Sequence, residues 1–291
     1  MKYVTLKKSL AFFVILLAVQ CLFVDTSAQT VFSNKKGIAA YNFTSEQTIS
    51  KLKDLNVGWI YDWGVALAIT GKKGYYAGPE EFVPMIWGIK DTTNANFDYL
   101  KQGKTEGKLS HLLAFNEPDR KDQANMSVEE CLRLWPKLME TGLRLGSPAP
   151  AEAKWLVAFM DGAMKRGYRV DFIAVHTYQD FTDPNAPNDL KVWLTDIYNK
   201  YKRPIWLTEF GAADRAVWKM ARIGTPTAEQ AGVYMKKALD VLNSLPFVER
   251  YAWFADRCGD EYIYGTIYDR SGTITDFGTL YKNYYPALPR K

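Results

Sequence analysis

Two glutamates lie at or near the ends of apolar runs of the chain. Each is followed within two residues by a proline or a glycine, which interrupts regular structure. Glu117 ends one such run and precedes Pro118, and Glu209 lies near the end of another, just before Gly211. A pair of carboxyl groups can hydrolyse an acetal, because one protonates the leaving oxygen while the other faces the oxocarbenium-like transition state. In the retaining form of this reaction the two carboxyls lie ~5–5.5 Å apart. We therefore predict that Glu117 and Glu209 form a catalytic pair.

The elements that must position this pair are eight short apolar runs, which alternate with amphipathic stretches along the chain. Helix start signals fall between the runs, as at Thr44 and Ser45 before residues 46–55, at Ser127 and at Thr227. This alternation predicts an α/β fold, a single-domain (β/α)8 TIM barrel. A doubly wound sheet is the alternative, although no glycine-rich phosphate turn follows the first run. The predicted strands are residues 37–43, 57–63, 82–87, 112–117, 143–148, 172–178, 205–210 and 250–255.

A barrel of this kind gathers the carboxyl ends of its strands at one mouth, where reactive groups usually lie. A single glutamate is most often a solvated surface charge, but a glutamate at a strand end is placed in that mouth. Along the seventh predicted strand, side chains should alternate between two faces. We expect Ile205, Leu207 and Glu209 on the face toward the mouth, and Trp206 and Thr208 on the face toward the helices.

The first 28 residues are typical of an export signal, with three lysines ahead of the apolar run at residues 10–19 and a small residue, Ala28, at the predicted cleavage site. We expect residues 29–291 to form the mature catalytic barrel, secreted or periplasmic. A lipid anchor at Cys21 is the alternative, although Gln20 is a poor residue for that position. A membrane span is disfavoured, because the apolar run is short and Asp25 closes it.

The net charge and the histidine, cysteine and aromatic content indicate which cofactors and partners to expect. The formal charge of +5 falls to +3 without the signal, and no lysine or arginine cluster indicates a nucleic-acid surface. His111 and His176 are the only histidines, and the cysteines have no metal-site spacing, so we expect no metal, with a calcium site made of carboxylates as the alternative. Trp and Tyr rings are abundant, which suits sugar binding as well as core packing. We expect a monomer that binds a polysaccharide or oligosaccharide.

An ordered set of motifs resembles glycoside hydrolase family 128 over nearly the whole mature chain. The resemblance implies retaining, endo-acting cleavage of β-1,3-glucan without a cofactor, with Glu117 as general acid/base and Glu209 as nucleophile. Another β-glycan (mixed-linkage glucan, mannan or cellulose) and a catalytically silent carbohydrate-binding barrel are the alternatives. Asp62 stands where many relatives carry asparagine. The motifs are Tyr61-Asp-Trp-Gly64, Phe82-Val-Pro-Met-Ile-Trp-Gly88, Phe115-Asn-Glu-Pro-Asp119, Gly146-Ser-Pro-Ala149, Val175-His-Thr-Tyr178, Leu207-Thr-Glu-Phe-Gly211 and Tyr251-Ala-Trp-Phe254.

The same resemblance implies roles for residues around the pair. Asn116 would hydrogen-bond the sugar 2-hydroxyl, a contact that strengthens in the transition state; a strand-end turn residue is the alternative. His176 and Tyr178 share a face at the end of the sixth strand and would orient the nucleophile or contact sugar, unless His176 is a core histidine.

Four aromatic residues complete the set of predicted substrate contacts. Trp253 would lie beneath the reacting sugar as a flat platform, on the same strand face as Tyr251, with core packing as the alternative. Trp63 and Trp87 end the second and third strands and would offer flat faces to neighbouring glucosyl units, or simply pack. Tyr41 on the first strand is a further candidate.

Overall fold

The computed structural model describes residues 35–40, 50–52, 55–212, 227–256, 265–269 and 271–284. The predicted export signal and Tyr41 lie outside these residues. The strands are β1 (Lys36–Ala39), β2 (Trp59–Tyr61), β3 (Glu81–Phe82), β4 (Met85–Ile86), β5 (His111–Asn116), β6 (Arg144–Ala149), β7 (Ile173–Gln179), β8 (Ile205–Ala212) and β9 (Val248–Phe254). The α-helices are α1 (Asn94–Thr105), α2 (Val128–Met139), α3 (Ala153–Lys165), α4 (Ala186–Tyr201), α5 (Ala228–Ser244) and α6 (Asp276–Asn283), and short 3-10 turns lie at Gly71–Lys73 and Ile89–Asp91.

All strand pairings between named strands are parallel and follow the order expected of a barrel. One hydrogen-bonded set runs β3-β2-β1-β9-β8-β7 and the other runs β4-β5-β6. Strands β3 and β4 are two parts of the third predicted strand, separated by Val83 and Pro84, and Pro84 has no N–H to give to a ladder. Between β6 and β7 the pairing narrows to one bridge, Gly146 with Phe172. The α/β class and the parallel strand order of a (β/α)8 barrel are therefore confirmed, and each of the eight predicted strands is present at least in part among the described residues.

The helix starts are also largely as the sequence indicates. The Ser127 side chain accepts a hydrogen bond from the Glu130 N–H at the start of α2, and Thr227 accepts one from Gln230 N–H at the start of α5. Each cap satisfies one of the unpaired N–H groups of a first helical turn. Of the predicted helix at residues 46–55, residues 50–52 are helical, and much of the remainder lies outside the described residues.

Two apolar layers hold the barrel together. The outer layer packs strand residues such as Ile60 and Val175 against the surrounding helices. The inner layer fills the barrel with large rings, among them Trp59, Phe172 and Trp206, and the rings of Phe172 and Trp206 stack with centroids 4.1 Å apart. The barrel is thus a packed core rather than a pore.

The placement of Trp206 corrects the sequence prediction, which had this side chain facing the helices. Trp206 is fully buried inside the barrel, and its indole N–H donates to Glu249 Oε2 at 2.7 Å. Both faces of this strand are apolar, so the hydrophobic pattern cannot identify the inner one.

A charged cluster lies at the amino ends of the strands, opposite the predicted catalytic mouth. His111 Nδ1 lies 2.5 Å from Glu81 Oε1, and the same carboxylate accepts a hydrogen bond from Arg250. Arg144 pairs with Glu249 at 2.8 Å. Burial raises the pKa of Glu81, but its bonds to His111 and the charge of Arg250 outweigh that effect, so the net direction is downward. These pairs join β3, β5, β6 and β9 at the amino-terminal end of the barrel.

None of the helices in the described part of the chain has the length and apolarity needed to span a bilayer.

Candidate active site

The carboxyl ends of β5 and β8 bring Glu117 and Glu209 together. Glu117 follows β5 and is 5% exposed, and Glu209 lies within β8 and is 4% exposed. One carboxylate oxygen of each glutamate and one ring nitrogen of His176 all lie within 4.8 Å of one another. Carboxylates this close suit a retaining pair, in which the second carboxylate must reach the sugar carbon directly, and leave too little room for the ~6.5–9.5 Å separation of an inverting pair.

Glu209 faces the mouth because of an irregularity in β8, and not because of simple alternation. Val175 of β7 pairs with Leu207, but the next residue, His176, pairs with Glu209, so Thr208 is an extra residue in the ladder. Leu207 lies in the outer apolar layer and Trp206 in the inner one. A β-bulge of this kind shifts the alternation by one residue. The predicted orientation of Glu209 agrees with the structure, whereas the predicted faces of Ile205, Trp206 and Leu207 are wrong.

The backbone around Glu117 is strained. Phe115 and Glu117 have positive φ values of 47° and 39°, which residues other than glycine adopt at a cost of about 1–3 kcal/mol each. The Glu117 N–H donates to the carbonyl of Ala149 at 3.0 Å, and the pairing of β5 with β6 is irregular on both sides of Ala114. The chain turns sharply after Asn116, and the Glu117 side chain remains buried beside the pair.

Three donors converge on the Glu209 carboxylate. The Trp63 indole N–H donates to Oε1 at 2.9 Å, the Tyr61 hydroxyl donates to the same oxygen at 3.3 Å, and the Tyr178 hydroxyl donates to Oε2. Burial, and then the charge of Glu209, raise the pKa of Tyr61 and Tyr178, so the two phenols remain protonated donors. A carboxylate held in this way is oriented and suited to act as an anion.

His176 lies between the two glutamates. Its Nδ1 is 3.5 Å from Glu117 Oε1 and 3.5 Å from Glu209 Oε2. Burial alone lowers the pKa of an imidazole, but the charges of Glu209 and Glu117 outweigh burial and raise the His176 pKa above its usual value. The structure therefore brings His176 and Tyr178 into the site, and His176 is not a core histidine packed away from it.

Asn116 also lies at the site. It is 4% exposed, its Nδ2 donates to Gln123 Oε1 at 3.1 Å, and its Oδ1 accepts no hydrogen bond within the described structure. A buried acceptor without a partner is costly, so it is expected to find one in the bound state. Its predicted contact with the sugar remains a prediction.

The predicted platform, Trp253, lies elsewhere, and this prediction is wrong. Trp253 is fully buried in the outer layer, where it packs on Phe210 and Phe277 and donates its indole N–H to Gly265 O. The inner face of β9 carries Phe254 instead, whose ring meets those of Trp63 and Tyr178 with centroids 5.8 and 5.5 Å away. The sequence prediction placed the inner face of this strand at Trp253, one residue before the position that occupies it.

Tyr61 is a site residue that the sequence reasoning missed, although it stands two residues before Trp63 on one face of the second strand. Trp87 is partly exposed, and its carbonyl accepts the Asn116 N–H at 2.9 Å, so it lies beside the site. Asp62 accepts the N–H groups of Gly64 and Ala68 and so holds the following loop.

A cavity of about 510 Å³ adjoins the pair. Glu117, His176 and Tyr178 line one end of it, and residues of α3 and α4, including Trp193, line the other. Within the described residues, Glu117, His176 and Glu209 are also the set whose ligand atoms could hold a cation. The arrangement as a whole provides two buried carboxyl groups, one of them accepting hydrogen bonds from three donors and the other lining a cavity.

Comparison with known proteins agrees with this chemistry. The profile of a family described as glycosyl hydrolase catalytic core matches residues 37–281. A curated relative, alkali-sensitive linkage protein 1 of Schizosaccharomyces pombe, is 27% identical over an alignment of 243 residues that covers 77% of this chain. The match spans only 39% of that longer relative.

Solved structures extend the comparison. An endo-β-1,3-glucanase of family 128, subgroup I, from Amycolatopsis mediterranei, in complex with laminaritriose, is 39% identical, with a TM-score of 0.72 over 86% of this chain and 98% of that one. A curdlan-specific exo-β-1,3-glucanase of subgroup III from Blastomyces gilchristii, in complex with glucose, is 28% identical, with a TM-score of 0.68 over 87% of this chain and 100% of that one. The family profile and the first of these relatives cover most of the sequence, so the chain belongs to the glycosyl hydrolase catalytic core family and to glycoside hydrolase family 128.

Proposed function

We propose that this protein is an endo-acting β-1,3-glucanase that retains the anomeric configuration, with Glu117 as general acid/base and Glu209 as nucleophile. The observation that carries the proposal is the buried pair of carboxylates with His176 between them and oxygens within 4.8 Å. The donors around Glu209 support its role as the attacking anion, and Glu117 has fewer donors and faces the cavity.

The reaction would proceed in two displacements. In the first, a Glu209 oxygen bonds to the anomeric carbon while the glycosidic C–O bond breaks and its oxygen takes the proton of Glu117. In the second, ionised Glu117 accepts a proton from water, whose oxygen attacks the same carbon and displaces Glu209. Both glutamates then return to their initial protonation states.

The β-1,3 linkage rests on the relatives. The Amycolatopsis mediterranei enzyme has been solved with laminaritriose and, as a glutamate variant, with laminaripentaose. Fold alone does not set the substrate of a barrel enzyme, so the linkage needs its own test. Purified protein should release reducing sugar from laminarin and curdlan, and much less from mixed-linkage glucan, mannan or cellulose. No release from any β-glycan would leave a carbohydrate-binding barrel as the function.

Time-resolved anomer analysis tests the mechanism. During laminarin digestion, the first products should carry the β-anomer, and Glu209→Ala should lose at least about a thousandfold in kcat. Initial α-anomers would refute retention, and near wild-type activity of Glu209→Ala would refute the nucleophile assignment.

A second mode of action is exo cleavage, which is suggested by the Blastomyces gilchristii relative. The two modes differ in their early products. Endo cleavage gives a ladder of laminari-oligosaccharides and a rapid fall in viscosity, whereas exo cleavage gives one short product from the start.

We also propose that residues 1–28 direct export and that the mature protein is monomeric. Amino-terminal sequencing of the exported protein should find Gln29 first, and light scattering should give the mass of one chain. Fatty acylation at Cys21 would instead establish the lipid anchor.

A further inference from the structure

The loop that follows β5 folds back onto the two residues that end the strand. Asp119 accepts the N–H groups of Ala151 and Glu152 at 2.9 and 2.7 Å, which fixes the loop to the start of α3. The Ala124 N–H returns to the carbonyl of Asn116 at 3.2 Å. Between these two anchors lie Arg120 and Asp122, and the position of Arg120 has a chemical consequence.

The two oxygens of Glu117 have different neighbours. Oε1 lies 3.5 Å from His176 Nδ1, which is the side toward Glu209, and Oε2 lies 3.5 Å from Arg120 Nε. The Arg120 side chain is only 21% exposed and the Glu117 side chain 7%, so solvent screens this approach weakly. Arginine remains charged at any working pH and can donate hydrogen bonds but never accept one.

Asp122 holds the guanidinium in place. Its two oxygens accept hydrogen bonds from Arg120 Nε at 3.1 Å and Nη2 at 2.7 Å. A bidentate pair of this kind fixes the plane of the guanidinium as well as its distance. The loop therefore presents a fixed positive charge to one particular oxygen of Glu117.

We propose that Arg120 is a positioning residue that confines the catalytic proton of Glu117 to Oε1, the oxygen facing His176 and Glu209. This inference rests on the proposed role of Glu117 as general acid. A proton on Oε2 would face a permanent cation that cannot accept it, whereas a proton on Oε1 is directed toward the reacting centre. In the first displacement the Oε1–H bond breaks, the proton joins the leaving oxygen, and the new negative charge of Glu117 lies beside Arg120.

Leaving-group dependence tests this role. We compare kcat/KM, which reports steps up to formation of the glycosyl-enzyme, for laminaripentaose and for 2,4-dinitrophenyl β-laminaribioside, whose leaving group needs no proton. Arg120→Met should lose about tenfold or more on the oligosaccharide, a part of the 10²–10⁴ that general acid catalysis supplies, and no more than about twofold on the aryl glycoside. The loss should lie in kcat rather than KM.

Two further variants keep the test informative if Arg120→Met folds poorly. Asp122→Asn leaves the arginine but weakens its restraint, and it should show the same selectivity to a smaller degree. Arg120→Lys keeps the charge without the planar fork, and it should recover part of the oligosaccharide activity. The matched control is Arg166→Met, which breaks an exposed ion pair with Glu129 away from the site. It should leave kcat/KM unchanged for both substrates.

Glu117→Ala separates failure of this inference from failure of the proposed function. If that variant loses kcat/KM on the oligosaccharide but not on the aryl glycoside, Glu117 is the general acid. Equal losses on both substrates in Arg120→Met and Asp122→Asn would then overturn the role of Arg120 alone. If Glu117→Ala itself shows no leaving-group dependence, the acid assignment fails and the inference fails with it.

Discussion

Trp63 donates its indole N–H to Glu209 Oε1 at 2.9 Å, from a backbone conformation with a positive φ of 60°. A tryptophan in the left-handed region is unusual, and the strain is retained where it directs this bond.

Replacement of Trp63 by Phe should therefore reduce activity more than stability. Hydrogen bonds to charged groups contribute about 1.5–3 kcal/mol, so kcat should fall roughly tenfold to a hundredfold. Trp155→Phe, a conservative change on α3 away from the pair, is the control and should keep wild-type kcat. Steady-state kinetics on laminarin would measure both, and an unchanged kcat in Trp63→Phe would show that the bond has no catalytic role.

The two aromatic neighbours on β9 should separate stability from catalysis. Trp253→Ala removes a fully buried ring from the outer layer and should cost about 3–5 kcal/mol of unfolding free energy. Phe254→Ala should cost less stability, because Phe254 is only partly buried, but it should lower kcat/KM, since its ring contacts Trp63 and Tyr178. Urea unfolding and laminarin kinetics on the two variants provide the comparison. The reverse pattern would restore Trp253 as the ring of the active site.

His176 should titrate above the usual range because of the two carboxylates beside it. Glu209→Gln removes one negative charge and should lower the His176 pKa, as should Glu117→Gln to a smaller extent. The sequence has two histidines, so NMR titration of the imidazole protons gives two curves, and His111→Gln identifies one of them. A His176 curve that does not move in Glu209→Gln would contradict the electrostatic origin of the shift.

Lys36 makes stability depend on pH. Burial lowers its pKa to about 7, although its ammonium lies 2.9 Å from the carbonyl of Tyr281. An unfolded lysine titrates near 10.4. Between about pH 7 and 10 the unfolded chain binds more protons, so this group makes stability rise with pH across that window and contributes no further change below it.

The corresponding experiment compares melting temperatures of wild type and Lys36→Met at pH 7, 8 and 9. Wild type should gain stability relative to the variant as the pH rises. Parallel curves would show that Lys36 stays protonated in the folded protein.

Much of the fold could be predicted from sequence because its signals are local. Each strand is a short apolar run, and the caps at Ser127 and Thr227 need only the next three residues. The two glutamates were found because strand ends in a barrel meet at one mouth. The inner and outer faces could not be assigned in the same way. Strands covered on both sides are apolar on both faces, and the bulge at Thr208 shifts the alternation by one residue.

The ring of donors around Glu209 was found only in part for a related reason. Tyr178 was expected to orient the nucleophile or contact sugar, and Trp63 to contact sugar. The bond of Trp63 to the carboxylate depends on distances across the barrel, which no local pattern encodes. Tyr61 and Phe254 were passed over because a tyrosine or phenylalanine inside an apolar run gives no sign of which face it occupies.

The narrow junction between β6 and β7 bears on how the catalytic spacing is maintained. Glu117 follows β5, in the set of three strands, and Glu209 belongs to β8, in the set of six. No continuous ladder ties one glutamate to the other across this side, where a single bridge at Gly146 and Phe172 joins the sets. The gap between the two carboxylates therefore depends on a short seam. There the Phe172 N–H donates to Leu145 O, the Ser147 N–H donates to Phe172 O, and the Ser147 hydroxyl accepts the Ala174 N–H. Substitutions there can alter the rate of bond cleavage without touching the sugar.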